Sequence, residues 1–368
     1  MHRRIMITLL LSVLLLSSKA YAYTYEQESF VDSYELQSAL PSDAADIMED
    51  ESIIGGTDSE RVANKLIQWI KENFLDIFRQ AVLNSALLVL VAVLCAIGSS
   101  FIKTDGLGDV DYISLVGIVA VASLSFGGMR SFSRDMTEAI EGMEDFSKIL
   151  LPAMAAAGSV SGNVAGFSVR YAVSTLFITL MITGVKTVIL PLAYGYMASS
   201  IASSAFGGEG LKGAASLIKW AAVNILTVTT LIFTLYISIS GAVSGTVDAT
   251  ATRLTKTVLS TTLPVVGGIL SDAAQTVLLG AATIKNAIGV YGLFAVMAIC
   301  LAPFLRLGVN YLIYKGASML ALTLSQGPVG KTIGAIGTSI GILLGSCGAC
   351  AMMLFFSILS AIKAVGAV

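Results

Sequence analysis

Residue types that support catalysis or metal binding are scarce in this chain. It contains one histidine, His2, and four cysteines among 368 residues. Ser-His-Asp and Cys-His catalysis need histidine as a base, and most zinc sites need histidine or clustered cysteines. The sequence also has no phosphate-binding P-loop and no dinucleotide-binding glycine motif. We therefore expect no catalytic residue, no metal site and no cofactor, and so a protein that is not an enzyme.

The four cysteines, Cys95, Cys300, Cys347 and Cys350, all fall in apolar segments. Thiols in such segments are usually buried and unreactive. Cys347 and Cys350 form a C-x-x-C motif, but it lacks the βαβ pattern that accompanies redox motifs of this kind. We interpret the pair as small residues at a contact between helices.

Composition indicates the environment in which the chain works. Apolar residues make up 55% of it, charged residues only 12%, and the mean hydropathy is +0.84, whereas soluble domains are about 25% charged. A membrane span needs about 20 apolar residues. Six uncharged windows meet or approach that length: Arg79 to Lys103, Asp111 to Arg130, Arg170 to Lys186, Lys219 to Asp248, Lys285 to Arg306, and Lys331 to Lys363. We predict an all-α polytopic membrane protein with about six to eight transmembrane helices, the third of which ends at Pro191.

The N-terminal part divides into two units. Residues 1–22 have a basic start, an apolar run and a small-x-small pattern at 20–22, which together are typical of a secretory signal peptide. Residues 23–78 carry 13 acidic and three basic residues and end in an amphipathic helix, for which Thr57 and Glu60 have capping-box spacing. This charge argues against nucleic acid or an anionic lipid surface as the partner of this segment. We predict an extracytoplasmic segment over 23–78 and a multi-span membrane domain over 79–368.

A weak internal repeat organises the membrane domain. Leu151-Pro152 and Leu263-Pro264 lie 112 positions apart, each after an amphipathic helix and before a run of small residues. The copies cover about 106–206 and 210–324, and a last span covers about 332–361. Two spans per copy would give both copies the same orientation, whereas a third crossing would invert the second copy.

The Leu-Pro segments 149–169 and 261–280 combine apolar residues with helix breakers and polar residues. Interrupted helices at membrane depth are tolerated where protein or a water-filled cavity satisfies their backbone, and paired interruptions point to a transport site. The alternative is a pair of re-entrant or interfacial helices that pack the bundle. Lys186 and Asp272 are the charges we expect either below the membrane surface or at its interface. The candidate conduit or gating residues are Pro152, Gly158, Gly162, Asn163, Lys186, Pro264, Gly267, Gly268 and Asp272.

The last apolar segment contains a glycine ladder, whose central members are Gly334, Gly337, Gly341 and Gly345. Glycines at this spacing remove side chains along one stripe of a helix, so that another backbone can approach closely. We predict helix packing along this stripe, within the chain or between subunits.

Three features together carry a family resemblance: the acidic start that reaches Tyr-Glu-Leu-Gln-Ser-Ala-Leu-Pro at 34–41, the Leu-Pro segment at 149–154 and that at 263–268. The chain resembles the stage III sporulation protein AE family of endospore-forming bacteria over essentially its whole length. The resemblance implies a polytopic subunit of the secretion-like channel complex that joins mother cell and forespore, in the outer forespore membrane. It implies as partners the other stage III sporulation A proteins, including a secretion-type ATPase. It also implies a ring of stage III sporulation protein AH with stage II sporulation protein Q.

Two other classes of function fit the same residues. Repeat symmetry and broken helices are equally typical of a stand-alone secondary transporter. A membrane scaffold that anchors a complex and conducts nothing would show the same packing signals. Membrane lipid is a partner under each interpretation.

Overall fold

The computed structural model describes residues 33–49, 51, 57–101, 112–160, 164–262, 267–325 and 327–363. Every regular element in these ranges is a helix, which confirms the predicted all-α class. The predicted signal peptide at residues 1–22 lies outside the described residues. We number the helices of the described ranges α1 to α9 in chain order.

The helices are long and mostly joined by short connections. Their bounds are α1 Ser33–Ser38, α2 Ser42–Met48, α3 Ser59–Phe101, α4 Tyr112–Val160, α5 Val164–Gly184, α6 Leu190–Phe206, α7 Glu209–Thr262, α8 Gly267–Ser325 and α9 Pro328–Lys363. A π-helical turn, Val185–Ile189, joins α5 directly to α6.

Six helical stretches of the described chain are long and apolar enough to cross a membrane. They are Ser59–Ser99, Tyr112–Ser159, Tyr171–Phe206, Glu209–Ile239, Thr283–Leu324 and Pro328–Ile362. Each has at least 31 residues, whereas a bilayer core needs about 20. The chain is therefore a polytopic membrane protein, and its helices are long enough to extend beyond the bilayer.

The prediction that Pro191 ends the third span is wrong. The chain remains helical through this proline, because the π turn before it changes the hydrogen-bond register. Leu190 N–H donates to the Val185 carbonyl, five residues back. A π turn of this kind gives the proline ring room beside the preceding turn of the helix. Pro152 and Pro303 also lie inside helices, α4 and α8.

The predicted capping box at the start of α3 is also wrong in detail. The capping residue is Asp58, whose Oδ1 accepts hydrogen bonds from the N–H groups of Glu60 at 3.1 Å and Arg61 at 3.2 Å. The Thr57 hydroxyl is buried and has no hydrogen-bond partner among the described residues. Asp and Thr both cap helices well, so the sequence alone did not distinguish these neighbours.

The antiparallel pair α8 and α9 forms the centre of the bundle. α4 packs against both helices of this pair, α3 packs against α8, and α6 and α7 pack against α9. The most apolar windows of α8 and α9 are 61% and 50% buried, whereas those of α3 and α7 are only 22% and 17% buried. The outer helices therefore present broad apolar faces, as expected for helices in contact with lipid.

Ion pairs mark where the helices leave the bilayer on one side. Arg306 of α8 pairs with Asp135 of α4 at 3.6 Å, and charges of this kind are costly inside hydrocarbon. From Arg306 to the end of α8 at Ser325, the helix rises about 28 Å at 1.5 Å per residue, close to the thickness of a bilayer core. We assign the level of the bundle between Arg306 and Ser325 to the bilayer and call it the membrane layer. The level beyond Arg306 and Asp135, which contains the apolar window 285–306 predicted above as a span, we call the outer layer.

The N-terminal helices α1 and α2 pack on the outer layer. Leu36, Ala44 and Met48 are each at most 1% exposed. Pro41 lies against Gly142 of α4, where an added Cβ would be 2.6 Å from Pro41 Cγ. Residues 33–48 of the acidic segment are therefore docked on the bundle.

The residues of the two predicted repeat copies fall on two pairs of long helices, α4 with α5–α6 and α7 with α8, and the repeat itself stays a prediction. Each pair has two long helices, since the apolar helices after Pro191 and Pro303 continue α5 and α8. Of the two Leu-Pro prolines, Pro152 lies inside α4, and Pro264 lies outside the described residues.

Candidate functional site

The first Leu-Pro segment packs in the interior of the outer layer. Leu150 and Met154 of α4 are fully buried. They lie against two glycines of α8: an added Cβ at Gly292 would be 2.6 Å from Leu150 Cδ2, and one at Gly289 would be 3.1 Å from Met154 Cε. This part of the segment holds α4 on α8 by close packing.

The other candidate conduit residues are distributed as follows. Pro152 is half-buried and Gly158 is buried, both near the end of α4, whereas Gly162 and Asn163 lie outside the described residues. In the second segment, Pro264 also lies outside them, and Gly267, Gly268 and Asp272 fall in the first turns of α8, where only the helix itself is described. A conduit between the two segments therefore stays a prediction.

Lys186 joins the π turn to α4. Its Nζ lies 2.8 Å from Glu141 Oε1 and 3.8 Å from Glu144 Oε2, and the side chain is 30% exposed. Glu144 also pairs with Lys148 at 3.2 Å, next to Asp145. Lys186 thus belongs to a charge network in the outer layer, close to the membrane boundary.

The glycine ladder packs α9 onto α8 along most of its length. An added Cβ would be 2.6 Å from Ser318 Oγ at Gly334, 3.2 Å from Tyr314 Cβ at Gly337, and 2.9 Å from Tyr311 Cε2 at Gly341. Gly345 differs from these, because nothing lies within 4 Å of its Cβ position.

An open cleft lies beside the ladder, between α7 and the α8–α9 pair. It has a volume of about 690 Å³. Its polar lining comes from three helices: Lys219, Thr227 and Thr230 of α7, Tyr311 and Lys315 of α8, and Thr338 of α9. Gly341 and Gly345 form part of its wall. Because the ladder glycines have no side chains, α9 can pack closely on α8, and the cleft beside Gly341 and Gly345 is wider than it would otherwise be.

Lys315 lies in the membrane layer, between Arg306 and the end of α8. Its Nζ donates to the Gly334 carbonyl at 3.0 Å and to Thr338 Oγ1 at 2.6 Å. These are its two hydrogen bonds within the described chain, and an ammonium has three donors. One N–H of Lys315 is therefore left for a ligand or water.

The cleft is positively charged. Lys219 and Lys315 are both part of the lining, and no acidic residue is. Lys219 is exposed and forms no ion pair with any described residue. A lysine at membrane depth costs about 2.5 to 3.5 kcal/mol on insertion scales, so such a residue usually marks a functional site.

Lys219 and Lys315 belong to none of the motifs of the sequence. The available signal was Lys315 itself, an unpaired charge inside the apolar stretch 307–324. Lys219, its neighbour across the cleft, could not be identified in this way, because the two lysines lie 96 positions apart on different helices.

The four cysteines lie within helices and form no disulfide among the described residues. Cys300, Cys347 and Cys350 are buried, and Cys300 Sγ lies 3.5 Å from Met143 Sδ. Among the described residues, no three His, Cys, Asp or Glu side chains are grouped so as to hold a metal ion.

The fold and the site together define a class: an all-α polytopic membrane protein with a cationic cleft at membrane depth and a docked N-terminal segment. Comparison with known families identifies the protein further.

The family model of stage III sporulation protein AE matches residues 43–365, and the chain belongs to this family. It is 25% identical to stage III sporulation protein AE of Bacillus subtilis (strain 168) over 297 residues, which cover 79% of this chain and 74% of that one. No solved structure matches the chain. It is thus a membrane protein of sporulation.

Proposed function

We propose that this protein is a membrane subunit of the secretion-like channel complex between mother cell and forespore, and that it acts without catalysis. Its place is the outer forespore membrane. Its partners are the other stage III sporulation A proteins, including the secretion-type ATPase, and the ring of stage III sporulation protein AH with stage II sporulation protein Q. Family membership supports the role in sporulation.

The observation that carries the proposal is the outer layer. The second half of α4 extends this layer beyond the membrane and presents charged residues, among them Arg134, Glu138 and Asp145, at its surface. α1 and α2 are fixed on it by buried side chains. If residues 1–22 direct export, this layer faces the space between the two membranes, where a ring from the forespore would meet it.

The test uses the native host with the gene deleted and then restored. Full-length protein should restore a reporter of late forespore transcription. A variant with Gly142→Leu should insert in the membrane but fail to restore the reporter, because a side chain at Gly142 would displace Pro41 and the N-terminal helices. Leu176→Ala, at a site 62% exposed in α5, is the matched control. Normal spores in the deletion strain would contradict the proposal.

We also propose that the Leu-Pro segments line or gate the conduit of this complex. The placement of Lys186 near the membrane boundary supports a role for this region. Asp272→Asn together with Lys186→Gln should impair forespore transcription, and Lys212→Gln, a lysine paired with Glu209 at the opposite membrane surface, should not. Full activity of the double variant would count against a gate at these residues.

One observation favours a second candidate function, a stand-alone transporter of an organic anion. Lys219 and Lys315, which line the cleft without an acidic residue beside them, would attract such a solute. Purified protein in vesicles would then move the anion without partners. A subunit of the complex would transport the anion only when the partner proteins are also present. A scaffold would transport none, with or without partners.

A further inference from the structure

We propose that the cleft between α7 and the α8–α9 pair binds the phosphate group of an anionic phospholipid. The binding groups are Lys219 Nζ on one wall and the free N–H of Lys315 on the other. This inference does not depend on the proposed channel function.

The charges of the cleft select an anion. Lys219 and Lys315 lie on facing helices, and the lining contributes no carboxylate that could neutralise either one. Thr338 accepts a hydrogen bond from Lys315 and donates its own to the Gly334 carbonyl, so it orients the ammonium. A phosphate can accept hydrogen bonds from two ammonium groups at once.

The remaining lining selects a lipid rather than a soluble anion. Between the polar groups lie apolar side chains, including Val223, Leu226 and Leu231 of α7. Leu231 is 56% exposed, and Leu217 and Trp220 beside Lys219 are 65% and 63% exposed. The cleft therefore continues into the apolar outer face of α7, where acyl chains would lie.

The depth of the two lysines is compatible with a headgroup that enters the cleft. Glu209 and Lys212 pair at 2.8 Å at the start of α7, and an exposed pair of this kind belongs at the headgroup level. Lys219 lies about 10 Å further along the helix, and a lysine side chain can reach back toward the surface. Lys315 lies deeper and would draw the phosphate inward.

The experiment measures lipid binding to the full-length protein in neutral detergent by native mass spectrometry. Dioleoylphosphatidylglycerol is titrated against dioleoylphosphatidylcholine, which has the same acyl chains and no net charge. A lysine near an anionic headgroup contributes about fivefold in affinity. We expect phosphatidylglycerol to bind at least about tenfold more tightly, with about fivefold lost in Lys219→Gln and again in Lys315→Gln.

The control variant is Lys212→Gln, which removes a lysine from the same helix outside the cleft. Lys219 is exposed, so Lys219→Gln keeps the test valid even if Lys315→Gln fails to fold. Equal binding of the two lipids would overturn the proposal, as would a loss in Lys212→Gln as large as that in Lys219→Gln. Displacement of the lipid by an equal concentration of glycerol 1-phosphate would overturn it in favour of a soluble anion.

Discussion

The membrane layer and the outer layer of this protein are held together by different interactions. In the membrane layer, α8 and α9 meet where glycines take the place of side chains, as at Gly334 and Gly341. Lipid tails are as apolar as the protein, so burial of apolar surface gives little drive here, and close packing must stabilise the contact.

In the outer layer we expect water to be the competing environment, because α4 carries charged side chains such as Arg134, Glu138 and Asp145 at its surface there. Apolar side chains such as Leu36 and Met48 are therefore buried there, with a gain from the hydrophobic effect. Charged groups pair around them, as Lys186 does with Glu141. The comparison shows that the same long helices use two kinds of contact along their length, and that the change falls near Arg306 and Asp135.

The largest expected effect comes from filling the α8–α9 contact. Gly341→Leu would place a side chain where Tyr311 already lies 2.9 Å from the Cβ position. Overpacking of a tight contact costs about 1 to 3 kcal/mol, and we expect the upper end because both partners lie on long helices. Thermal unfolding in detergent should show a clear fall in the transition temperature.

Gly345→Leu is the matched control for this experiment. It lies one turn further along the same ladder, but nothing is within 4 Å of its Cβ position. Its side chain should enter the cleft, leave the transition temperature nearly unchanged and reduce lipid binding. Equal destabilisation by both variants would show that α9 packs uniformly along the ladder.

A second, smaller effect tests the outer layer at the start of α3. Asp58→Ala removes the side chain that accepts hydrogen bonds from two free N–H groups of the helix, and loss of such a cap costs about 1 kcal/mol. Thr57→Ala should cost less, since the Thr57 hydroxyl forms no bond within the described chain. The check is the free energy of unfolding of both variants in detergent, and the reverse order would restore Thr57 as the cap.

The sequence predicted the class of fold because hydropathy depends only on local composition. Six candidate spans in the described chain match the six uncharged windows in number. Gly334, Gly337 and Gly341 each have an α8 residue close to the Cβ position, whereas Gly345 has none. Pro191 was misjudged because a proline usually ends a helix, and the π turn that accommodates it has no reliable sequence signal.

The candidate site could not be predicted in the same way. Lys219 and Lys315 belong to different helices and come together through the packing of α7 against the α8–α9 pair. Gly345 and Gly341 belong to the same glycine ladder, and the sequence gives no sign of a difference between them. Only the structure shows that Tyr311 of α8 lies close to the Cβ position of Gly341, whereas no atom lies within 4 Å of that of Gly345. The sequence thus indicated where packing occurs but not where packing leaves a cleft.

The smallest expected effect concerns the ion pairs of the outer layer, and a double-mutant cycle is the suitable measurement. Lys186 and Glu141 belong to different helical segments at the membrane boundary, with side chains 30% and 49% exposed. We expect a coupling free energy of about 0.5 to 1 kcal/mol between Lys186→Met and Glu141→Gln.

Arg134 and Glu138 are the control pair. They form an equally short ion pair on one helix, but their side chains are 77% and 59% exposed. Water therefore screens them, and their coupling free energy should be undetectable. The cycles compare unfolding in detergent at low and high salt. Equal coupling free energies for the two pairs would show that the position of Lys186 near the membrane boundary does not strengthen its ion pair. The outer layer would then be stabilised by its apolar contacts alone.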